Sequence, residues 1–338
     1  MSYPATKQFT YWGQFGVLMG LTGAGIVLAG IVSFIPLWMN PELGTSLIGA
    51  SQEKIMDKLL VPENAGMLRL VQLLSTLFIF FLPTLFYAWI CHKKSGTHLG
   101  FNKPVNGQQM FIVLLIMFAC LPLVGMLAQF TESLPFSEAN KLKFKIAEED
   151  YARQIEVVGR MNNFKDYLLA LFMLAIFPAL FEETLFRGGI QNLLSRWFKA
   201  PVLAIIVTSI IFSAIHFSYI GFLSRVALSL VLGWMYYRTG NLWLSIIGHI
   251  TNNGVAMTVL YLMKLNNPAL KVNDADPTFP IWVGIFSTIV LVGLLLQFEK
   301  INMHQNNNPG EEELMVVEDA RNPSWAEEIP NNQTNNGN

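Results

Sequence analysis

Hydrophobic residues in this chain gather in long, nearly unbroken runs, with neither the strict alternation of a half-buried strand nor the narrow stripe of a surface helix. Eight runs approach the ~20 apolar residues that a helix needs to cross a bilayer, at about 12–39, 67–90, 108–130, 165–197, 201–219, 222–237, 242–262 and 281–297. Polar breaks separate them. His92-Lys93-Lys94 stops the second run, Pro201 suits the first turn of the fifth, and Thr239-Gly240-Asn241 forms a tight turn after the sixth. The first run is rich in glycine, and Gly16-x-x-x-Gly20 permits a close helix–helix approach.

Two polar insertions are longer than connections require. The first, 40–66, has an amphipathic centre near 52–60 and reads as interfacial. In the second, 131–163, the positions Ile146, Tyr151, Ile155, Val158 and Met161 follow a rough helical period. It reads as a solvated connecting helix, with a lid as the alternative. The expected fold is therefore an all-α membrane protein over residues 1–300, a bundle of about eight transmembrane helices around a polar intramembrane cavity. Residues 301–338, acidic and asparagine-rich, are expected to be a disordered cytoplasmic tail.

Composition sharpens that picture. Of 338 residues 53% are hydrophobic and 13% charged, with a mean hydropathy of +0.43, whereas soluble domains carry about 25% charged residues. The net charge is −1, but from Ile301 onward seven acidic residues face Arg321 alone. That tail is −6, which leaves +5 for the body, a balance suited to anionic headgroups and too small for a nucleic-acid partner. Cys91 and Cys120 lack metal or redox spacing and read as packing residues. The first run is too long for a signal-peptide core and reads as a retained span. Lys93, Lys94, Lys103, Arg196, Lys199 and Arg238 all fall on the side of the termini, which makes that side cytoplasmic by the positive-inside rule.

Chemistry concentrates in Phe181-Glu182-Glu183-Thr184-Leu185-Phe186-Arg187, inside the fourth run. A charge at that depth costs ~2.5–3.5 kcal/mol on insertion scales, so such residues need partners and usually a task. Glu183 and Arg187 have the favourable i,i+4 order for an ion pair. Glu182 lies about 100° around the helix from Glu183, which leaves it free to face a cavity. Lys199 stands 17 residues after Glu182, and His216 stands 17 after Lys199. An antiparallel hairpin turning there would set both side chains level, ~25 Å from the turn at 1.5 Å rise per residue. Phe212 and His216 share a helix face, as do His249 and Asn253, while Asn252 should point elsewhere. Arg225 reads as snorkelling at a helix end, and His92, His98 and His304 as solvated.

A carboxylate beside an imidazole in a low-dielectric pocket can deprotonate a water, and an imidazole and an amide on another helix can hold an oxyanion. Two histidines with a glutamate also suit zinc, although the His-Glu-x-x-His spacing of zinc proteases is absent. Buried acids, histidines and arginine on several spans also mark proton-coupled transporters.

Glu-Glu-x-x-x-Arg at 182–187, Phe-x-x-x-His at 212–216 and His-x-x-x-Asn at 249–253 together resemble the three motifs of the CAAX protease and bacteriocin-processing family. The likeness covers about 164–262. It implies an eight-helix intramembrane endopeptidase in which Glu182 and His216 activate water, His249 and Asn253 bind the oxyanion, and Glu183, Arg187 and Phe212 support them. No cofactor is implied. In a zinc-dependent version the ligands would be Glu182, His216 and His249. The expected partners are a peptide or protein substrate and the lipid bilayer, with no nucleic acid. The expected location is a bacterial cytoplasmic membrane with both termini cytoplasmic. The family's proposed role in bacteriocin self-immunity leaves a non-catalytic protein as a further alternative.

Overall fold

The computed structural model describes residues 7, 9–35, 41–47, 49–268, 270–272 and 279–305. Residues 306–338, and with them most of the expected acidic tail, lie outside the described residues, as does the His304 side chain.

Among the described residues each of the eight apolar runs contains a helix, and one further long helix lies between the third and fourth. We number the nine long helices α1 (Tyr11–Val32), α2 (Pro62–Cys91), α3 (Gly107–Ser133), α4 (Glu138–Val158), α5 (Phe164–Phe198), α6 (Pro201–Ala214), α7 (Phe222–Thr239), α8 (Leu242–Asn266) and α9 (Ile281–Gln305). The chain is an all-α membrane protein. Among the described residues five helices, α1, α2, α3, α5 and α9, are long and apolar enough to cross a bilayer by length and composition, against the eight spans expected. The shortfall has a physical reason. Helix α6 is only 14 residues long, and α7 and α8 carry the serine, asparagine, histidine and arginine side chains that the bundle turns inward.

Two prolines explain most of the irregularity inside the spans. Pro83 and Pro178 each follow a short π-helical stretch, Leu77–Phe81 and Phe172–Ile176. Proline has no N–H to return to the carbonyl four residues back, and a widened turn is one way to accommodate the break. The widened turn of α2 is also where α1 comes closest: a Cβ at Gly25 would run into the Phe78 carbonyl and the Pro83 ring. Glycine is required there for proximity alone.

Among the described residues, two large apolar clusters and two smaller ones fill the bundle, and the two large ones flank its polar seam. Leu18 of α1, Tyr87, Ala88 and Cys91 of α2, Leu185, Phe186 and Leu193 of α5 and Phe212 of α6 form one. Ile112, Ile116, Met117 and Cys120 of α3 form the other with Leu232 and Met235 of α7, Leu244 of α8 and Leu291 and Phe298 of α9. Helices α5 to α8 meet along the seam, and the polar residues of the motifs lie there.

Outside that seam two expectations change. His92 is buried, His98 is half-buried, and the two rings are stacked, with centroids 3.4 Å apart and ring planes 14° apart, because the short helix Ser95–Leu99 folds back under α2. The Tyr87 hydroxyl lies 3.3 Å from His92 Nε2, and Arg196 donates to Gln14 Oε1 at 3.0 Å and to Asn192 Oδ1 at 2.8 Å. Burial, with the His92 ring and the Arg196 guanidinium close by, holds the His98 imidazole well below its ordinary range. The insertion 131–163 forms α4 as expected, yet Ile146 on its supposed apolar face is 50% exposed, and Ala152, Val157 and Val158 supply the buried contacts.

Candidate active site

Helix α5 sets the site by the order of its turns. After the π stretch ending at Ile176, one α-helical stretch, Phe177–Glu183, carries both carboxylates. A second π stretch, Thr184–Gln191, then carries Arg187. The sequence reading assumed regular α-helix throughout, and no proline signals this second widening. Glu183 and Arg187 are nonetheless 3.0 Å apart, Oε2 to Nε, and both are fully buried. Neither could be left alone there, because an uncompensated buried charge costs several kcal/mol.

Three other helices complete this network. From α8, His249 Nδ1 lies 2.9 Å from Glu183 Oε1, so Glu183 holds a cation on one oxygen and an imidazole on the other. From α7, Ser229 accepts a hydrogen bond from Arg187 Nη2 at 3.2 Å. From α6, the Phe212 ring lies 5.4 Å from the guanidinium carbon of Arg187 and edge-on to Phe186. Because a carboxylate only accepts, the hydrogen of this bond belongs to His249 Nδ1, which turns Nε2 toward the other acid. That acid is Glu182, whose Oε2 is 4.0 Å from His249 Nε2. The two neighbouring acids thus divide: the Glu183 side chain is 0% accessible and committed, whereas Glu182 retains 11% of its surface.

Helix α6 ends at Ala214, so His216 is not on a helix face as expected; it sits on the turn that follows. Its Nδ1 bonds the Phe212 carbonyl at 2.8 Å. A carbonyl only accepts, so Nδ1 carries the hydrogen, and Nε2 of the neutral ring keeps its lone pair for another proton. Phe212 lies between the two imidazoles, 5.0 Å from the His216 ring and 5.9 Å from His249. Among the described residues no hydrogen bond joins Glu182 to His216.

Asn253, one turn beyond His249, donates from Nδ2 to the Leu174 carbonyl at 3.1 Å. That carbonyl lies four residues before Pro178, which has no N–H to offer it. Asn252, expected to point away, instead donates to Asn253 Oδ1 at 3.0 Å. The Asn253 amide is thereby fixed on both atoms, and the second N–H on Nδ2 remains for another acceptor. Sequence reasoning missed the Glu183–His249 bond, Ser229 and the Leu174 carbonyl. Only the last had a local signal, the proline four positions on.

Arg225 does not snorkel: its Nη2 donates to the Ser218 carbonyl at 2.8 Å, and the side chain lies in the electrostatic field of Glu182 and Glu148. Among the described residues no three His, Cys, Asp or Glu side chains are grouped as a metal ion would require.

Comparison with known proteins points to the same part of the chain. Residues 164–255, which contain all three motifs, match the family described as type II CAAX prenyl endopeptidase Rce1-like. The uncharacterized protein YpbD of Bacillus subtilis (strain 168) is 34% identical over 89 residues, a match spanning 25% of this chain and 42% of that protein. No solved structure matches.

Proposed function

We propose that this integral membrane protein, whose segment 164–255 is Rce1-like, is an endopeptidase that cuts a peptide bond at membrane depth with a water activated by Glu182 and His216. The observation that carries the reading is the division of labour between Glu182 and Glu183. One carboxylate is locked to Arg187 and His249, and its neighbour, 4.0 Å from His249 Nε2, retains 11% of its side-chain surface.

In this reading the water oxygen adds to the scissile carbonyl carbon, and its proton passes to the Glu182 carboxylate or to His216 Nε2. The carbonyl oxygen becomes an oxyanion facing His249 and the remaining N–H of Asn253. A protonated His249 donates from both nitrogens, Nδ1 to Glu183 and Nε2 to the oxyanion, and the Glu183 carboxylate favours that form. Losing one such donor costs ~2.7–4 kcal/mol in the barrier. Collapse of the intermediate breaks the C–N bond, and the proton first taken from water goes to the leaving amine. Arg187 offsets the charge of Glu183, and Phe212 spaces the two imidazoles. We place both termini on the cytoplasmic side and assign a membrane-associated peptide or protein as substrate.

The test is cleavage of a fluorogenic peptide by the purified chain in nanodiscs, followed for Glu182→Ala and His216→Ala. Both should lose turnover while keeping the thermal unfolding of the parent, and undiminished turnover in both would discard the assignment. Inactivation by a chelator, reversed by zinc, would replace the metal-free reading with a zinc-dependent one.

A further inference from the structure

His216 is the one motif residue held on a connection, and much of what fixes that connection beyond its own motif comes from outside all three motifs. Residues 215–221 join α6 to α7. Within them, His216 N bonds the Ser213 carbonyl at 3.3 Å, and Phe217 adopts a left-handed conformation with φ of 51°. A non-glycine residue in that conformation persists only where the surroundings hold it.

Those surroundings are largely α4. Glu148 Oε1 accepts hydrogen bonds from the Ser218 hydroxyl at 2.7 Å and from the Ile220 backbone N–H at 3.1 Å. One α-helical turn earlier, Phe144 stacks on Tyr219 with centroids 4.0 Å apart and planes 9° apart, and Phe136 meets Tyr219 edge-on at 4.8 Å. From the opposite flank Arg225 donates to the Ser218 carbonyl. Ser218 is 5% exposed, so its bonds are not shared with bulk solvent. Helix α4 is itself anchored at its far end, where Arg69 of α2 donates to the carbonyls of Val158 and Arg160 at 2.7 and 3.0 Å.

We propose that Glu148 is a positioning residue: through Ser218 and Ile220 it clasps the α6–α7 connection and so holds His216 at the site. The insertion 131–163 then works as a strut for the catalytic base, in place of the solvated connector its composition suggests. Lateral release of α4 would loosen His216. The inference rests on the hydrolase reading for its effect on turnover, but the clasp itself stands on the two hydrogen bonds and the ring stack.

The experiment uses the full chain in nanodiscs with Glu148→Ala, Glu148→Gln and, as a control on the exposed side of the same helix, Lys141→Ala. Backbone hydrogen exchange over 215–222 is read first. Removing hydrogen bonds to an ionised acceptor should raise exchange there by about tenfold or more in Glu148→Ala. Glu148→Gln keeps an acceptor oxygen and should restore most of the protection, and Lys141→Ala should resemble the parent. Cleavage of the fluorogenic peptide is read second, with a fall in kcat and little change in KM for Glu148→Ala only. Unchanged exchange over 215–222 in Glu148→Ala, or a loosened connection with unchanged kcat, would overturn the proposal. A parent chain that cleaves nothing would remove the hydrolase reading, and exchange would then decide the clasp alone.

Discussion

Two buried polar regions in this protein both combine histidine with arginine, to different ends. At the seam, Glu183 pairs with both Arg187 and His249, and the remaining acid, Glu182, stands 4.0 Å from His249 Nε2 with 11% of its side-chain surface accessible. Near the end of α2, Gln14, Tyr87, His92, His98 and Arg196 form a second cluster in which the partners of Arg196 are neutral oxygens of Gln14 and Asn192. The first region matches its cation with an acid and has a carboxylate to spare. The second holds its cation on neutral oxygens, without an acid, where the short helix Ser95–Leu99 packs under α2. Burial of histidine is common to both, so what distinguishes the seam, and what our proposal of an active site there rests on, is the uncommitted acid.

Four substitutions and a change of pH should break or sharpen that contrast. The largest effect should come from Glu183→Gln, which leaves His249 without its anchoring charge. By analogy with losing the orienting acid of a catalytic triad, kcat should fall on the order of 10²–10⁴-fold. His98→Gln, in the other cluster, should leave peptide cleavage within about twofold. Equal losses in both variants would erase the distinction.

Stability should separate the regions next. Arg187→Met leaves Glu183 buried without its cation and should cost about 3–5 kcal/mol in denaturant unfolding. Adding Glu183→Gln should recover part of that loss, a coupling that independent sites would not show.

The contrast was only half legible in the chain. Glu182, Glu183 and Arg187 stand out because three charged residues lie close together deep inside an apolar run, and the spacing of Glu183 and Arg187 predicts their pairing on an ordinary helix. The pairing of Glu183 with His249 was not legible, since two positions 66 residues apart meet only through the crossing of α5 and α8. The level placement of Glu182 and His216 followed from a hairpin at Lys199, and the structure does turn there, with φ of 53° at Lys199. It then ends α6 two residues short of His216, so helical periodicity could not say where that ring points. His92 and His98 were misjudged for the opposite reason. They lie in a lysine-rich, polar stretch that looks solvated, and their burial comes from tertiary packing alone.

Acidification should weaken the second cluster. In the folded chain His98 resists protonation, while in the unfolded chain it takes up a proton near pH 6.5. The unfolded state therefore binds more protons as pH falls below that value, and stability drops by up to ~1.4 kcal/mol per pH unit. A thermal scan between pH 7.5 and 5.5 should show this slope, and His98→Gln should flatten it. Tyr87→Phe should have the smallest effect, about 1 kcal/mol for the hydroxyl contacts with Gln14 and His92. Turnover should not change with it.

The central claim, that Glu182 delivers a water to a peptide carbonyl, is tested most directly by a single turnover in ¹⁸O-labelled water with mass analysis of both product and enzyme. The account predicts one ¹⁸O in the new C-terminal carboxylate of the product, none in Glu182, and no product from Glu182→Gln. An unlabelled first-turnover product with ¹⁸O in the Glu182 side chain would mean that the carboxylate itself attacks, and would contradict the account.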